Sequence, residues 1–156
     1  MTAAIAGLGI TEMGKVYGRT ASDFAGEALG LALDDAGLRA DEVDGLLING
    51  NQSAEMVPTL QFSLGLTDLT LVNVMSAFGS TAGTMLQYAA HAIATGQASV
   101  VACLYADAPL REGVIQARGQ AGERQVGKHD HVLVSGNGGV LTFHSTTILS
   151  PHEGGA

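Results

Sequence analysis

The 156-residue chain has few charged residues, few aromatic residues and no long hydrophobic run. Charged residues make up 14% of the chain and aromatic residues 4%, and tryptophan is absent. No stretch approaches the roughly 18 consecutive apolar residues that a membrane-spanning helix needs. The amino terminus lacks the basic region and cleavage site of a signal peptide. The single cysteine, Cys103, excludes an internal disulfide and fits a reducing compartment. We therefore expect a cytoplasmic protein without a membrane span.

The charge balance excludes a further class of partner. The net charge is −8, and the seven basic residues are scattered along the chain. Nucleic acids and anionic membranes are bound through clusters of Lys and Arg, so neither is an expected partner. Hydrophobic residues make up 46% of the chain, more than so few charges can cover on a monomer. This excess predicts a protein partner.

Apolar strands alternate with helices along the first two thirds of the chain, which predicts a three-layer α/β fold with a mostly parallel sheet. Thr20 and Asp23 form a predicted capping box, and Gly37 a predicted helix end. Two apolar runs near the carboxyl terminus, joined by a glycine-rich turn, predict a hairpin that completes the same sheet. Residues 1–150 are thus expected to form a single domain, followed by a loose tail at 151–156. The predicted strands lie near 3–9, 45–50, 70–74, 99–106, 131–135 and 140–149, and the predicted helices near 21–36, 58–65 and 80–95.

The stretch after the third strand is the most informative one. Small residues from Ser76 to Thr81 connect the strand to an alanine-rich helix that ends before Gly96. Such an elbow aims backbone amides and the positive end of a helix dipole at one point, which suits a nucleophile or a developing negative charge. The frame Gly79–Gly83 is also similar to the nucleophile elbow of hydrolases, with Thr81 in place of serine. No acid–histidine pair follows in the expected order, and tight helix–sheet packing explains the same small residues.

Three other patterns have a structural explanation beside a functional one. Gly7-x-Gly9 follows a strand as in dinucleotide-binding proteins, but no helix begins at that loop, so a strand-end glycine loop is favoured. His129-Asp130-His131 has metal-ligand spacing but lacks a nearby third ligand, and we predict no metal site. Cys103 lies in an apolar strand, where burial makes a thiol inert.

The order of these segments resembles the thiolase superfamily. The segments AIAGLGITEMGKVYGRT, LALDDAGL and DEVDGLLI resemble its amino-terminal half, most closely in the branch of sterol-carrier-type thiolases and lipid-transfer-protein-like aldolases. The family pattern Asn-x-x-Cys-x-Ser-Gly falls on Asn73–Gly79, so the nucleophilic cysteine of the family corresponds to Ser76. This resemblance covers residues 1–108.

The tail resembles the extreme carboxyl end of the same branch. RGQAGERQV and HVLVSGNGGVLTFHSTTIL, within residues 111–149, carry its glycine turn. The resemblance implies oxyanion-binding or substrate-binding roles for Gly79, Ser135, Gly138 and Gly139, with Ser76 at the catalytic position. The family segment between the two matches, which carries a catalytic histidine, is not found in the sequence.

The resemblance implies a protein of acyl-CoA and lipid metabolism that breaks or forms a C–C bond beside a CoA thioester. Acyl-CoA is the implied substrate, and no resident cofactor is implied. Because Ser76 replaces the cysteine and the histidine segment is missing, the implied activity of the chain alone is reduced or absent. The alternatives are a non-catalytic subunit that pairs with an intact thiolase-like or aldolase partner, and a gene remnant. Since the third strand of the family pairs with its symmetry mate, a homodimer or a hetero-oligomer is also implied.

Overall fold

The computed structural model describes residues 2–50, 53–108, 110 and 145–152. The described elements alternate between strands and helices in chain order until the last strand. Two 3-10 turns, at Ala40–Glu42 and Phe78–Ser80, precede β2 and α3. The elements are β1 (Thr2–Ile10), α1 (Ala21–Ala36), β2 (Gly45–Asn49), α2 (Leu60–Ser63), β3 (Leu71–Met75), α3 (Thr81–Ala94), β4 (Val101–Leu104) and β5 (Ser145–His152).

The five described strands form a sheet in the order β1-β5-β4-β2-β3. β2 pairs in parallel with both β3 and β4, whereas β5 is antiparallel to both of its neighbours, β1 and β4. Strands β1 to β4 therefore all run in the same direction, so their carboxyl ends lie at one edge of the sheet. A crevice at that edge is where open α/β sheets bind their ligands.

Helices cover the two faces of the sheet separately, which confirms the predicted α/β architecture. Alternate residues of β2 enter different cores: Leu46 and Ile48 pack with α1, and Leu47 packs with α3. On β1, glycine permits α1 to approach closely. A Cβ atom on Gly9 would overlap the Ala28 carbonyl oxygen and lie 2.6 Å from the Ala32 nitrogen. Gly7 and Gly9 therefore lie within β1, where they permit the close approach of α1, rather than in the predicted strand-end glycine loop.

Local capping explains where α1 begins and ends. Thr20 and Asp23 form the predicted capping box, with both reciprocal hydrogen bonds present. The side chain of Glu55 accepts a further hydrogen bond, 2.9 Å long, from the amide of Ser22 in the first turn. Gly37 ends the helix in the left-handed conformation, with φ of 66°.

One residue, Asp44, joins the amino ends of β2, β3 and β4 through its side chain and its backbone. Asp44, just before β2, accepts hydrogen bonds from the amides of Ser99 and Val100 at 2.8–2.9 Å. Its carbonyl oxygen accepts hydrogen bonds from the amide and the hydroxyl of Thr70, which precedes β3. Because Asp44 binds the amides of Ser99 and Val100, β4 begins at Val101 rather than at the predicted residue 99. It ends at Leu104 rather than at the predicted residue 106.

The carboxyl-terminal strand joins the sheet as predicted, although its position was not foreseen. β5 lies between β1 and β4 and continues to His152, so Pro151 and His152 are not part of a loose tail, which is a correction to the predicted tail at 151–156. The pairing of β5 with β4 ends at Leu149, and beyond it β5 is paired with β1 alone. Pro151, which has no backbone N–H to donate, is tolerated there because the strand is paired on one side only. The predicted strand at 131–135 and the turn that follows it lie outside the described residues.

Candidate functional site

Polar side chains cluster where the parallel strands end. Asn49 ends β2, Ser76 follows β3, and Tyr105 and Asp107 follow β4. Ile48 pairs with Leu104 in the sheet, and Asn49 and Tyr105 are the next residues on these neighbouring strands. Asn49, Tyr105 and Asp107 are all at least nine-tenths buried. The carboxyl edge of the sheet therefore combines a buried polar group with the elbow that precedes α3.

A single threonine holds the shape of the elbow. The Thr81 hydroxyl accepts a hydrogen bond from the Ala77 amide (2.9 Å) and donates one to the Phe78 carbonyl oxygen (2.8 Å). Thr81 is 1% exposed, so both bonds are shielded from water. The amide and the hydroxyl of Ser80 donate to the Ala77 carbonyl oxygen, at 3.1 and 2.7 Å. Thr81, which the frame Gly79–Gly83 places at the nucleophile position of a hydrolase, thus holds the backbone of the elbow and lies away from solvent.

The residue with unusual backbone geometry in the elbow is Phe78. Its φ is +50°, which makes it the one non-glycine residue with positive φ in the described part of the chain. L-residues adopt this conformation at a cost of about 1–2 kcal/mol. The side chain is also 89% exposed, so burial does not repay that cost within this chain.

The predicted site residues lie in different parts of the chain. Ser76 and Gly79 are both exposed on the elbow, and a Cβ atom at Gly79 would meet no atom within 4 Å. The hydrogen bonds that hold the elbow use the amides of Ala77, Ser80 and Thr81, so the Gly79 amide takes no part in them. The remaining predicted site residues, Ser135, Gly138 and Gly139, lie outside the described residues.

Burial fixes the chemistry of two groups near this edge. Desolvation, with a further contribution from the negative charge of Asp107, raises the pKa of Tyr105, so its phenol stays protonated and can donate a hydrogen bond. Burial raises the pKa of the Cys103 thiol to about 12, which keeps it protonated and unreactive at neutral pH. Cys103 is therefore a core residue, as its apolar strand predicts.

Sequence reasoning did not assign the buried polar group of Asn49, Tyr105 and Asp107 to the site. Each residue lies at the end of an apolar strand or within three residues after it, and this position is the signal that could have identified it. Within the described residues, no group of three His, Cys, Asp or Glu side chains is arranged to hold a metal ion. His129 and His131 lie outside them. In the same part of the chain, no helix is both long enough and apolar enough to cross a bilayer.

The sequence matches a known protein family and two characterised relatives. Residues 7–151 match the family described as thiolase C-terminal domain-like. The chain is 38% identical over 122 residues to a steroid side-chain-cleaving aldolase of Thermomonospora curvata, covering 78% of the chain and 31% of that protein. It is 35% identical over 119 residues to the 17-hydroxy-3-oxo-4-pregnene-20-carboxyl-CoA lyase of Mycobacterium tuberculosis, covering 74% and 31%. The chain thus spans less than a third of the length of these curated relatives.

A solved structure agrees with the sequence relatives. The Ltp2-ChsH2(DUF35) aldolase is 34% identical to the chain and superposes with a TM-score of 0.62, covering 80% of the chain and 32% of that protein. Fold, family match and relatives therefore agree, and the chain belongs to the thiolase superfamily, in the branch of the lipid-transfer-protein-like aldolases.

Proposed function

We propose that the chain acts in lipid metabolism, within a protein or complex that breaks or forms a C–C bond beside a CoA thioester. The observation that carries this proposal is the 38% identity to a steroid side-chain-cleaving aldolase. The substrate class is an acyl-CoA, and the name of the second relative suggests a 17-hydroxy steroid with a 20-carboxyl-CoA side chain. The proposed chemistry requires no resident cofactor.

The chemistry of such a cleavage is a retro-aldol step. A base removes the proton of the hydroxyl group, the adjacent C–C bond breaks, and the hydroxyl carbon becomes a carbonyl. The electron pair of the broken bond moves onto the thioester as an enolate, whose α-carbon then takes up a proton. The step is redox-neutral, and its main requirement is hydrogen-bond donors aimed at the enolate oxygen.

The elbow has the features that such an oxygen requires. It is exposed, it precedes the amino end of α3, and the Gly79 amide is not used in holding its shape. We assign the Gly79 amide and the residues Ser135, Gly138 and Gly139 to oxyanion or substrate binding. Ser76 occupies the position of the family nucleophile, but an alcohol needs an adjacent base before it can attack a thioester. We therefore propose that the chain alone has little or no activity.

The direct test is turnover of two thioesters by the purified chain. Acetoacetyl-CoA with free CoA reports thiolysis, and 17-hydroxy-3-oxo-4-pregnene-20-carboxyl-CoA reports retro-aldol cleavage through release of a 17-ketosteroid. We expect background rates for the wild type and for Ser76→Cys, because a thiol restores neither the base nor the positioning of the thioester. Turnover by the wild type that Ser76→Ala abolishes would contradict the proposed inactivity.

A second candidate function is that of a non-catalytic subunit, and the position of β3 favours it. In the described sheet β3 is an edge strand, with Val74 38% exposed. An apolar edge strand that is not covered is a template for pairing with another chain. The name of the Ltp2-ChsH2(DUF35) aldolase also joins two components. We propose that β3 pairs with a thiolase-like subunit, in a homodimer or a hetero-oligomer.

This pairing is tested by co-purification with a full-length thiolase-like aldolase of the same organism. Val74→Pro removes a backbone donor from the edge strand and is expected to abolish the complex. Phe62→Ala, at an exposed position on α2, is the control and should leave the complex intact. A complex unaffected by Val74→Pro would show that β3 is not the contact.

The buried, unreactive Cys103 fits a cytoplasmic location, which we propose and which fractionation of cells would test.

A further inference from the structure

The buried polar residues at the carboxyl edge share one face of the sheet. Leu47 of β2 packs with α3, and Asn49, two residues further on, has the same orientation. After β4, Ala106 packs with α1, so its neighbours Tyr105 and Asp107 lie on the α3 side. Burial and the negative charge of Asp107 both raise the pKa of Tyr105, which agrees with this common side. Asn49, Tyr105 and Asp107 are called the polar layer below.

The polar layer lies at the level of the first turn of α3. This helix runs antiparallel to the parallel strands, because it begins after the carboxyl end of β3 and leads back to the amino end of β4. Met85 of α3 and Leu47 of β2 belong to the same core. Asn49 lies about 7 Å beyond Leu47 toward the carboxyl edge, and Thr81 lies about 6 Å beyond Met85 in the same direction. Since Tyr105 is beside Asn49 on the neighbouring strand, the polar layer lies beneath Thr81 and the elbow.

The first turn of α3 lacks the side-chain caps that α1 has. Thr20 and Glu55 accept hydrogen bonds from amides in the first turn of α1. At α3, the hydroxyl of the N-cap residue Ser80 binds the Ala77 carbonyl oxygen instead of an amide, and the first turn contains no acidic residue. The first amides of a helix have no partner within it, and they favour a nearby negative charge. Asp107 supplies such a charge from beneath.

The elements around the polar layer bring no cation to it. β2, β3, β4 and α3 contain neither Lys nor Arg. The carboxylate of Asp107 accepts a hydrogen bond, 2.8 Å long, from the Ala108 amide. The positive end of the α3 dipole is therefore the compensating charge that these elements offer to the buried carboxylate.

A polar layer of this kind is an expensive way to fill a core. Burying polar groups costs free energy unless they are hydrogen-bonded, and apolar side chains of the same shape stabilise a fold equally well. Paired polar groups in a core instead specify one arrangement of the segments that they join. Any further segment or partner only adds to the burial of these residues.

We infer that the polar layer positions the elbow. Asn49, Tyr105 and Asp107 act on the first turn of α3 and so fix where Ser76 and the Gly79 amide lie. They are positioning residues, because their burial keeps them from touching a substrate. The benefit to an enolate oxygen at the Gly79 amide rests on the proposed function, whereas the positioning of the backbone does not.

Hydrogen exchange of the folded chain tests this role without a ligand. The Ala77 amide, which donates to the Thr81 hydroxyl, reports opening of the elbow, and the amides of β2 report unfolding of the domain. Tyr105→Phe removes one phenol oxygen, and Asn49→Leu replaces an amide with an apolar group of similar shape. We expect each to accelerate exchange at Ala77 at least about tenfold, and to accelerate the β2 amides by a smaller factor.

Two further variants separate the contributions. Tyr88→Phe also removes a phenol oxygen, but from a half-buried position on α3 about two helical turns from Thr81. It should change the Ala77 exchange rate by less than about twofold. Asp107→Asn keeps an oxygen for the Ala108 amide and removes the negative charge beneath α3. It should accelerate exchange at Ala77 by about two- to fivefold.

A role in core stability alone predicts a different result. In that case the Ala77 and β2 amides would accelerate by the same factor in Tyr105→Phe and Asn49→Leu. Either that outcome or an unchanged Ala77 rate in both variants would overturn the inference. A far-ultraviolet circular dichroism spectrum identical to that of the wild type shows that a variant is folded, and if one of the two does not fold, the other decides.

The proposed function has a separate readout in the same labelled protein. Acetoacetyl-CoA is added to the ¹⁵N-labelled wild type, and the resonance of the Gly79 amide is followed. A Gly79 amide that does not shift would count against oxyanion binding at the elbow. The exchange rates of Ala77 in the free chain would still decide whether the polar layer positions the elbow.

Discussion

Removing the hydroxyl of Thr81 should release the elbow without changing its volume. Thr81→Val keeps the shape of the side chain, but it removes the acceptor of the Ala77 amide and the donor to the Phe78 carbonyl oxygen. Each hydrogen bond contributes about 0.5–1.5 kcal/mol net, and a buried amide left without a partner costs about 1–3 kcal/mol. We expect a loss of about 2–3 kcal/mol in the free energy of unfolding.

A matched control lies one helical turn further along. Thr84 donates to the Ser80 carbonyl oxygen at 3.0 Å and is half-buried, with its neighbours already inside α3. Such a bond within a helix contributes little to stability, because the carbonyl group keeps its helical partner. Thr84→Val should therefore change the free energy of unfolding by less than about 0.5 kcal/mol. The two substitutions are chemically identical, so their difference isolates the elbow.

Two measurements check this prediction. Urea unfolding at fixed protein concentration gives the stability difference, with a slope m of about 1–3 kcal/mol/M for a domain of this class. Hydrogen exchange then shows whether the lost stability arises at the elbow. The Ala77 amide should be protected in the wild type and in Thr84→Val, and it should exchange rapidly in Thr81→Val. Equal stabilities of the two valine variants, or a protected Ala77 amide in Thr81→Val, would refute the assigned role of Thr81.

Three further predictions concern single residues. Phe78→Gly should be more stable than Phe78→Ala by about 1 kcal/mol in thermal unfolding, because only glycine adopts a positive φ without strain; equal stabilities would contradict this strain. Gly9→Ala should lower the free energy of unfolding by at least about 3 kcal/mol, since its methyl group would meet the Ala28 carbonyl oxygen. Gly30→Ala, in open space on α1, should raise the free energy of unfolding by about 0.5–1 kcal/mol. Cys103, with its raised pKa, should react with a disulfide reagent at pH 8 no faster than the protein unfolds, and fast labelling in the native state would show that it is accessible.

The parts of the fold that the sequence predicts are those set by local physics. Thr20, Asp23 and Gly37 define α1 through side-chain and backbone bonds within a few residues. The alternation of apolar strands and helices likewise predicts the parallel pairing of β2 with β3 and β4, because crossover helices favour it. Few other strand arrangements are compatible with strands that alternate with crossover helices.

The remaining features depend on contacts between distant segments. The insertion of β5 between β1 and β4 has no local signal, since β5 contacts residues some 140 positions earlier in the chain. The positive φ of Phe78 is also unforeseen, because bulky L-residues rarely adopt it. The buried group of Asn49, Tyr105 and Asp107 forms only when neighbouring strands end together at one edge. The sequence predicted the elbow between β3 and α3 and missed this buried group, and the site roles of Ser76 and Gly79 stay predictions.

The position of β5 has a consequence for the order of folding. In the described sheet β1 pairs with β5 alone, so β1 lacks its hydrogen-bonding partner until residues 145–152 have been synthesised. Closing so long a loop is slow, because its entropy is lost before any contact repays it. During synthesis α1 can shield one side of β1. The backbone groups of β1 that pair with β5 stay open to other nascent chains until β5 arrives, and the chain is exposed to misassembly during that interval.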